Sequence, residues 1–206
     1  MFASVVKSKE ELRELLGEPH ERAVKKEIAR LDEHCRAFIA RSPFLLLATA
    51  NATGQCDVSP KGDAPGFVRV LDEGRLVVPD RPGNRRLDGM RNILENPHVG
   101  LIFLIPGKEE TLRVNGRAAI VRDADVLAAC GVGGKTPLVG IGVEVEECFL
   151  HCPKAFKRSR LWEPTAWPDL SDLAPWAQML YDHARVEGKT VAELARDLED
   201  SSKKLY

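Results

Sequence analysis

What the chain lacks narrows its class first. Its longest apolar run, FLLLATA at residues 44–50, falls far short of the roughly 20 residues that a membrane helix needs. The opening MFASVVKSKEEL holds no sustained apolar segment of the secretory kind, so the expectation is a protein of the cytoplasm. Cysteines number only five, an odd and scattered set that reads as reduced thiols and not as a disulfide framework. Cys148, His151 and Cys152 are neighbours in sequence, but their spacing matches no paired metal motif and no second pair accompanies them, so no metal is expected. Neither sign of charge dominates. The formal net charge is -1, without the basic excess of a nucleic-acid binder. Also missing are a G-x-S-x-G elbow, a Walker loop, a G-x-G-x-x-G turn after a strand and an H-E-x-x-H helix.

What is present fits one soluble domain: 206 residues, 44% hydrophobic and 30% charged. Residues 1–40 read as helical. Ser8 with Glu11 forms a capping box before ELRELLG, and Gly17 is a natural stop. A second helix is predicted from Val24, Ile28, Leu31, Cys35 and Phe38, spaced by three and four, ending before Pro43. Residues 41–162 change character. FLLLATA, CDVSP, FVRVLD, RLVVPD, HVGLIFLIP, ETLRVNGRAAIVRD and PLVGIGVEVEECFLHC are strand candidates separated by turn residues. Asp123 is placed to cap a short helix, and a further helix is expected to begin at Asn84. Residues 163–206 return to helix, with a Thr190/Glu193 capping box before VAELARDLED. Six or seven short strands without regular strand–helix alternation predict an α+β protein, mainly β: a closed antiparallel barrel with helical additions at both ends.

Three polar clusters invite chemistry. In VVPDRPGNRRLDGM, Arg81, Arg85 and Arg86 crowd the expected start of a helix, where the backbone is already electropositive. Arginines there make sense around an anion, which free N–H groups, Gly83 and clustered guanidinium groups would hold. In DVSPKGD, Ser59 and Lys61 sit at a strand end that a meander could bring beside those arginines. In HCPKAFKRSRLW, Lys154 and Arg158 lie four apart, on one face of a helix, with Phe156 and Trp162 nearby. GVGGKTP at 131–137 has a superficial phosphate-loop look but not the Walker spacing, and it reads as a flexible loop.

In this order, FLLLATANATGQCDVSPKGD, GRLVVPDRPGNRRLDGMRNILENPHVGLIFLIPG, LRVNGRA and HCPKAFKRSRLW resemble the pyridoxamine 5'-phosphate oxidase-like flavoproteins, over residues 39–162. The resemblance implies a six-stranded antiparallel split β-barrel, a homodimer, and one FMN in each of two clefts between subunits. By that likeness Asp57, Val58, Ser59, Pro60 and Lys61 would line the flavin. Val78, Pro79, Asp80, Arg81 and Gly83 would follow the ribityl chain, and Asn84, Arg85 and Arg86 would hold the phosphate. Arg113 and Asn115 occupy the strand that approaches the ring in relatives, and Lys154 and Arg158 would come from the partner subunit. The implied activity is FMN-dependent oxidation or reduction of a small molecule, with NAD(P)H as a possible donor and no catalytic side chain assigned. True pyridoxamine-phosphate oxidases carry an Arg-rich C-terminal segment. Here ARDLEDSSKKLY stands instead, so a different substrate is expected. Split-barrel relatives that bind haem or a deazaflavin, and a flavin carrier or sensor without turnover, are the alternatives.

Overall fold

The structure is a computed structural model that describes residues 2–185 and 187–206. Ahead of the sheet stand three helices: α1 (Lys9–Leu16), α2 (Glu21–Lys25) and α3 (Glu33–Ile39). Ser8 caps α1 by accepting from the Glu11 N–H, but the expected box is only half formed, since the Glu11 carboxylate accepts from the Lys7 amide at 3.0 Å; Gly17 ends the helix with φ 75°. The single helix predicted through Val24 and Phe38 is instead two. Ile28 leaves the helical path to exchange both backbone hydrogen bonds with Cys148, at 3.1 and 2.7 Å. Asp32 then restarts the helix by accepting from the Cys35 N–H at 2.8 Å. A tertiary backbone pairing overrides the local period.

Seven strands follow among the described residues: β1 (Phe44–Ala50), β2 (Cys56–Gly62), β3 (Arg69–Val70), β4 (Arg75–Pro79), β5 (His98–Leu104), β6 (Thr111–Val121) and β7 (Gly140–His151). Between them lie α4 (Asp88–Glu95) and α5 (Ala124–Ala128), and after them α6 (Lys154–Ser159), α7 (Trp176–Ala184) and α8 (Val191–Ser202). All pairings are antiparallel, in the order β2-β1-β5-β6-β7-β4-β3. The sheet is therefore α+β as expected, but it has seven strands with β2 and β3 as its two edges, not six in a closed ring. FVRVLD keeps only two residues of strand, because the Leu71 and Asp72 amides turn back onto the Arg75 carbonyl.

The core is one face of this sheet. Leu45, Leu47, Leu76, Val78, Leu101, Phe103, Leu112, Val114, Ile141 and Val143 are all buried, and α3 adds Phe38 and Ile39 while α4 adds Ile93. Each such side chain contributes about 1.5–3 kcal/mol of hydrophobic free energy. At β2 the same face changes character: opposite Thr49, Leu47 and Leu45 stand Asp57, Ser59 and Lys61. An edge strand tolerates this, and it also tolerates Pro60, which has no N–H for a further neighbour. The apolar core ends there, and a polar cleft begins.

Candidate functional site

The cleft has a volume of about 670 Å³. One wall is β2, with Asp57, Val58, Ser59, Pro60 and Lys61; the facing wall is the segment from Asp80 to Arg85 that leaves β4. Leu87, Asp88, Gly89 and Met90 at the start of α4 close one end, Leu47 and Ile141 form part of the floor, and Lys135, Thr136, Pro137, Leu138 and Tyr206 complete the rim. Two sequence clusters meet here, the DVSPK strand and the DRPGNR turn.

The helix predicted from Asn84 starts four residues later, at Asp88. Residues 84–87 form an irregular turn instead. The Asn84 side-chain oxygen accepts from the Arg86 N–H at 3.0 Å, and Arg85 and Leu87 both take left-handed conformations, φ 59° and 62°. For residues with a Cβ each such conformation costs on the order of 1–2 kcal/mol. Strain of this kind gathers at ligand sites. Leu87 supplies no side-chain cap, so the first N–H groups of α4 meet the cleft without a protein side chain on them. Gly89 packs against β2 with room for a side-chain carbon. A Cβ on it would lie 3.5 Å from an Asp57 carboxylate oxygen and 3.8 Å from Ser59 Oγ.

The three arginines have different fates. Arg81 donates from Nε to Asp63 at 2.6 Å and from a terminal nitrogen to the Cys130 carbonyl at 3.0 Å. The pair is well covered, the Asp63 side chain being 3% exposed and that of Arg81 17%. Burial alone would raise the Asp63 carboxyl, but hydrogen bonds from the Tyr206 hydroxyl, the Ala64 amide and Arg81 outweigh it and hold the group below its ordinary value. Arg86 pairs with Asp88 at 2.7 Å on the surface. Arg85 has no hydrogen-bond or ion-pair partner among the described residues, and neither has Lys61. Ser59 Oγ is buried against the cleft and also unpartnered among them. Asp80 is half-buried opposite these cations. Burial raises its carboxyl above the ordinary range, and Lys61 and the Arg81 amide oppose that only in part.

Not every expected site residue reaches this cleft. Val78 and Pro79 are buried in β4, and Arg86 points to Asp88. Arg113 and Asn115 lie on the opposite face of the sheet: Arg113 is 5.2 Å from the Phe149 ring, and Asn115 donates to Glu147. Arg113 Nε is buried there without a partner among the described residues. Lys154 and Arg158 are exposed on α6, which is fixed by the Phe156–Trp162 stack and by the Trp162 indole N–H on the Lys108 carbonyl. Cys148 turns inward to Cys35, 3.6 Å away, and donates to the Arg30 carbonyl, while Cys152 stays exposed.

Conversely, sequence reasoning missed the rim. GVGGKTP is a tight hairpin in which Val132 bridges Lys135 and Gly133 and Gly134 supply φ 57° and 77°. Its paired glycines were the signal for a turn, but nothing local placed that turn beside β2. Tyr206 and Asp63 gave no signal at all, since their partners lie far away in sequence.

With this geometry in hand, the family becomes plain. The family model for pyridoxamine 5'-phosphate oxidase matches residues 31–152, more than half of the chain, and the protein belongs to that family. No curated protein matches it. Among solved structures, HupZ of Group A Streptococcus is 18% identical, with 58% of this chain and 92% of that one covered and a TM-score of 0.48. General stress protein 26 of Bacillus anthracis is 16% identical, covering 57% and 93%, with a TM-score of 0.43. HutZ, the haem storage protein of Vibrio cholerae, is 19% identical, covering 59% and 94%, with a TM-score of 0.41. No helix among the described residues is long and apolar enough to cross a membrane.

Proposed function

We propose that the cleft holds FMN and that the protein is an FMN-dependent oxidoreductase of the split-barrel type. The observation that carries this reading is the set of unsatisfied groups converging on one cleft: Arg85, Lys61, Ser59 Oγ and the open N-terminus of α4. A phosphate monoester, doubly negative near neutral pH, supplies the acceptors that all of them lack. Ser59 Oγ is the buried member of this set; a buried hydroxyl without a partner is uncommon in folded proteins, and a ligand accounts for it better than packing does.

In this reading Arg85, the first amides of α4 and Ser59 hold the phosphate. Asp80 accepts from hydroxyls of the ribityl chain, a task suited to a carboxylate and not to another cation. Bound FMN would supply the redox chemistry, which the protein orients and tunes. Lys61 is the cation best placed to tune it from within the chain. Leu47 and Ile141 give the floor an apolar surface that keeps water from the bound ring.

The chain is also proposed to act as a homodimer. The outer face of the sheet carries Val58 (59% exposed), Phe44 (38%) and Ile102 (36%) on three adjacent strands, with Leu46 between them in register with Pro60 and Ile102. A second copy packed on that face would cover the patch and the open edge of β2. Arg113, Asn115, Lys154 and Arg158 would then serve the second cleft. Light scattering tests the assembly: a monomer that keeps stoichiometric FMN overturns it. The absorption spectrum of protein mixed with FMN and freed of excess tests the cofactor, and a preparation without flavin bands sinks the reading. Reduction by NAD(P)H then separates an enzyme from a carrier.

A further inference from the structure

Tyr206 lies outside the stretch that matches the family, yet it stands on the rim of the cleft. It is brought there by α8, whose capping box at Thr190 and Glu193 is complete. Three contacts hold it. Its hydroxyl donates to Asp63 Oδ1 at 2.5 Å, its ring lies 5.8 Å from the Arg81 guanidinium, and its carbonyl accepts from Lys135 Nζ at 2.8 Å. Asp63 is thus divided: one oxygen takes Tyr206 and the Ala64 amide, the other takes Arg81. Tyr206 also lines a second groove of about 410 Å³, together with Asp63, Arg81, Gly83 and residues at the end of α8. Arg81, Pro82 and Gly83 form a wall common to both cavities.

We infer that Tyr206 is a positioning residue of the candidate site, acting through Asp63 on Arg81. Arg81 begins the turn that carries Arg85, so its orientation fixes where that turn stands against β2. Asp63 can hold Arg81 in one place only while its own carboxylate is held, and the Tyr206 hydroxyl is the contact that arrives from outside the sheet. Lys135 adds the hairpin at 131–137 to the same assembly. The wall facing β2 is therefore tied to the segment that follows α8, Tyr206 lying 143 residues beyond Asp63. The consequence is functional: loss of the hydroxyl loosens the 81–85 turn and shortens the residence of whatever the turn helps to hold.

The experiment has two arms. Amide hydrogen exchange in the ligand-free protein compares wild type with Tyr206→Phe and Tyr206→Ala. Faster exchange at the hydrogen-bonded amides of Asp80, Gly131, Val132 and Lys135 in both variants is the expected result, and unchanged exchange overturns the inference. The second arm rests on the flavin reading and measures FMN release by stopped-flow fluorescence. Release is expected to quicken about tenfold in both variants, the order set by one hydrogen bond to a charged acceptor. Tyr206→Phe keeps the ring, so release like wild type from that variant overturns the route through Asp63. Should wild type take up no FMN, the flavin reading falls, while the exchange arm still decides the role of Tyr206.

Discussion

The two ends of the cleft each carry an arginine, and the two arginines behave in opposite ways. At one end Arg81, Asp63 and Tyr206 satisfy one another, in a corner where the Asp63 side chain is almost fully covered. At the other, Arg85, Lys61 and Ser59 face a shared space with no protein partner among the described residues, beside a strained turn and an uncapped helix. A guanidinium that is fully engaged is part of the architecture. One that is held near the surface and left unengaged, beside a strained turn, is the arginine that the proposed phosphate site would use. Arg81 and Arg85 are four residues apart; as a charge cluster they read alike, and only the family likeness divided them, placing Arg81 along the ribityl chain and Arg85 on the phosphate.

The most forceful way to break the contrast is to remove each arginine in turn and measure stability. Arg81→Ala leaves the Asp63 carboxylate covered and short of a partner, and a cost of about 3 kcal/mol is expected, the lower part of the range for breaking a buried pair. Arg85→Ala removes an exposed side chain without contacts and should stay within about 0.5 kcal/mol. Urea denaturation of both variants reads this directly. Equal losses would mean that the two ends do not differ.

Ligand binding should then reverse the ranking. Arg85→Ala is expected to weaken FMN binding about ten- to a hundredfold, from the loss of a charge-assisted hydrogen bond worth roughly 1.5–3 kcal/mol. Riboflavin lacks the phosphate and should hardly respond. Fluorescence titration with both flavins makes the comparison, and FMN binding like that of wild type would remove Arg85 from the phosphate site.

How much of this was legible beforehand follows from what sets each feature. The strands were readable because their apolar and β-branched runs are local, and so were the caps at Ser8 and Thr190, which need only neighbours three residues on. The meeting of DVSPK with DRPGNR was legible by likeness to a family more than by any spacing. The break between α2 and α3 was not, because Ile28 answers to Cys148, far along the chain. Nor was the start of α4, where two residues with side chains take conformations that propensity assigns to glycine. The roles of Asp63 and Tyr206 were hidden for the same reason as the break at Ile28: each is defined by a distant partner.

The smallest effect expected concerns Asp80, which faces the unsatisfied end yet carries the wrong charge for a phosphate. Burial raises its carboxyl above the ordinary Asp value of 3.8, so the folded protein binds that proton more tightly than the unfolded chain does. Stability contributed by this group therefore falls as pH rises from that value through the raised one, and at neutral pH the charged carboxylate is a net cost. Asp80→Asn should accordingly be more stable than wild type at pH 7, by a small margin, because the group is only half-buried and solvent screens the cost of its charge. The advantage should shrink as the pH falls through the raised value towards 3.8, and vanish only well below 3.8, where the carboxyl is protonated in the folded and unfolded chain alike. Thermal unfolding between about pH 4 and pH 8 follows it. A residue kept at a cost to stability is expected to serve the ligand, so the same variant should bind FMN more weakly through the hydroxyl-bearing chain. A variant that is less stable at pH 7, or that shows no pH trend against wild type, would place Asp80 with the satisfied corner and erase the distinction between the two ends at that position.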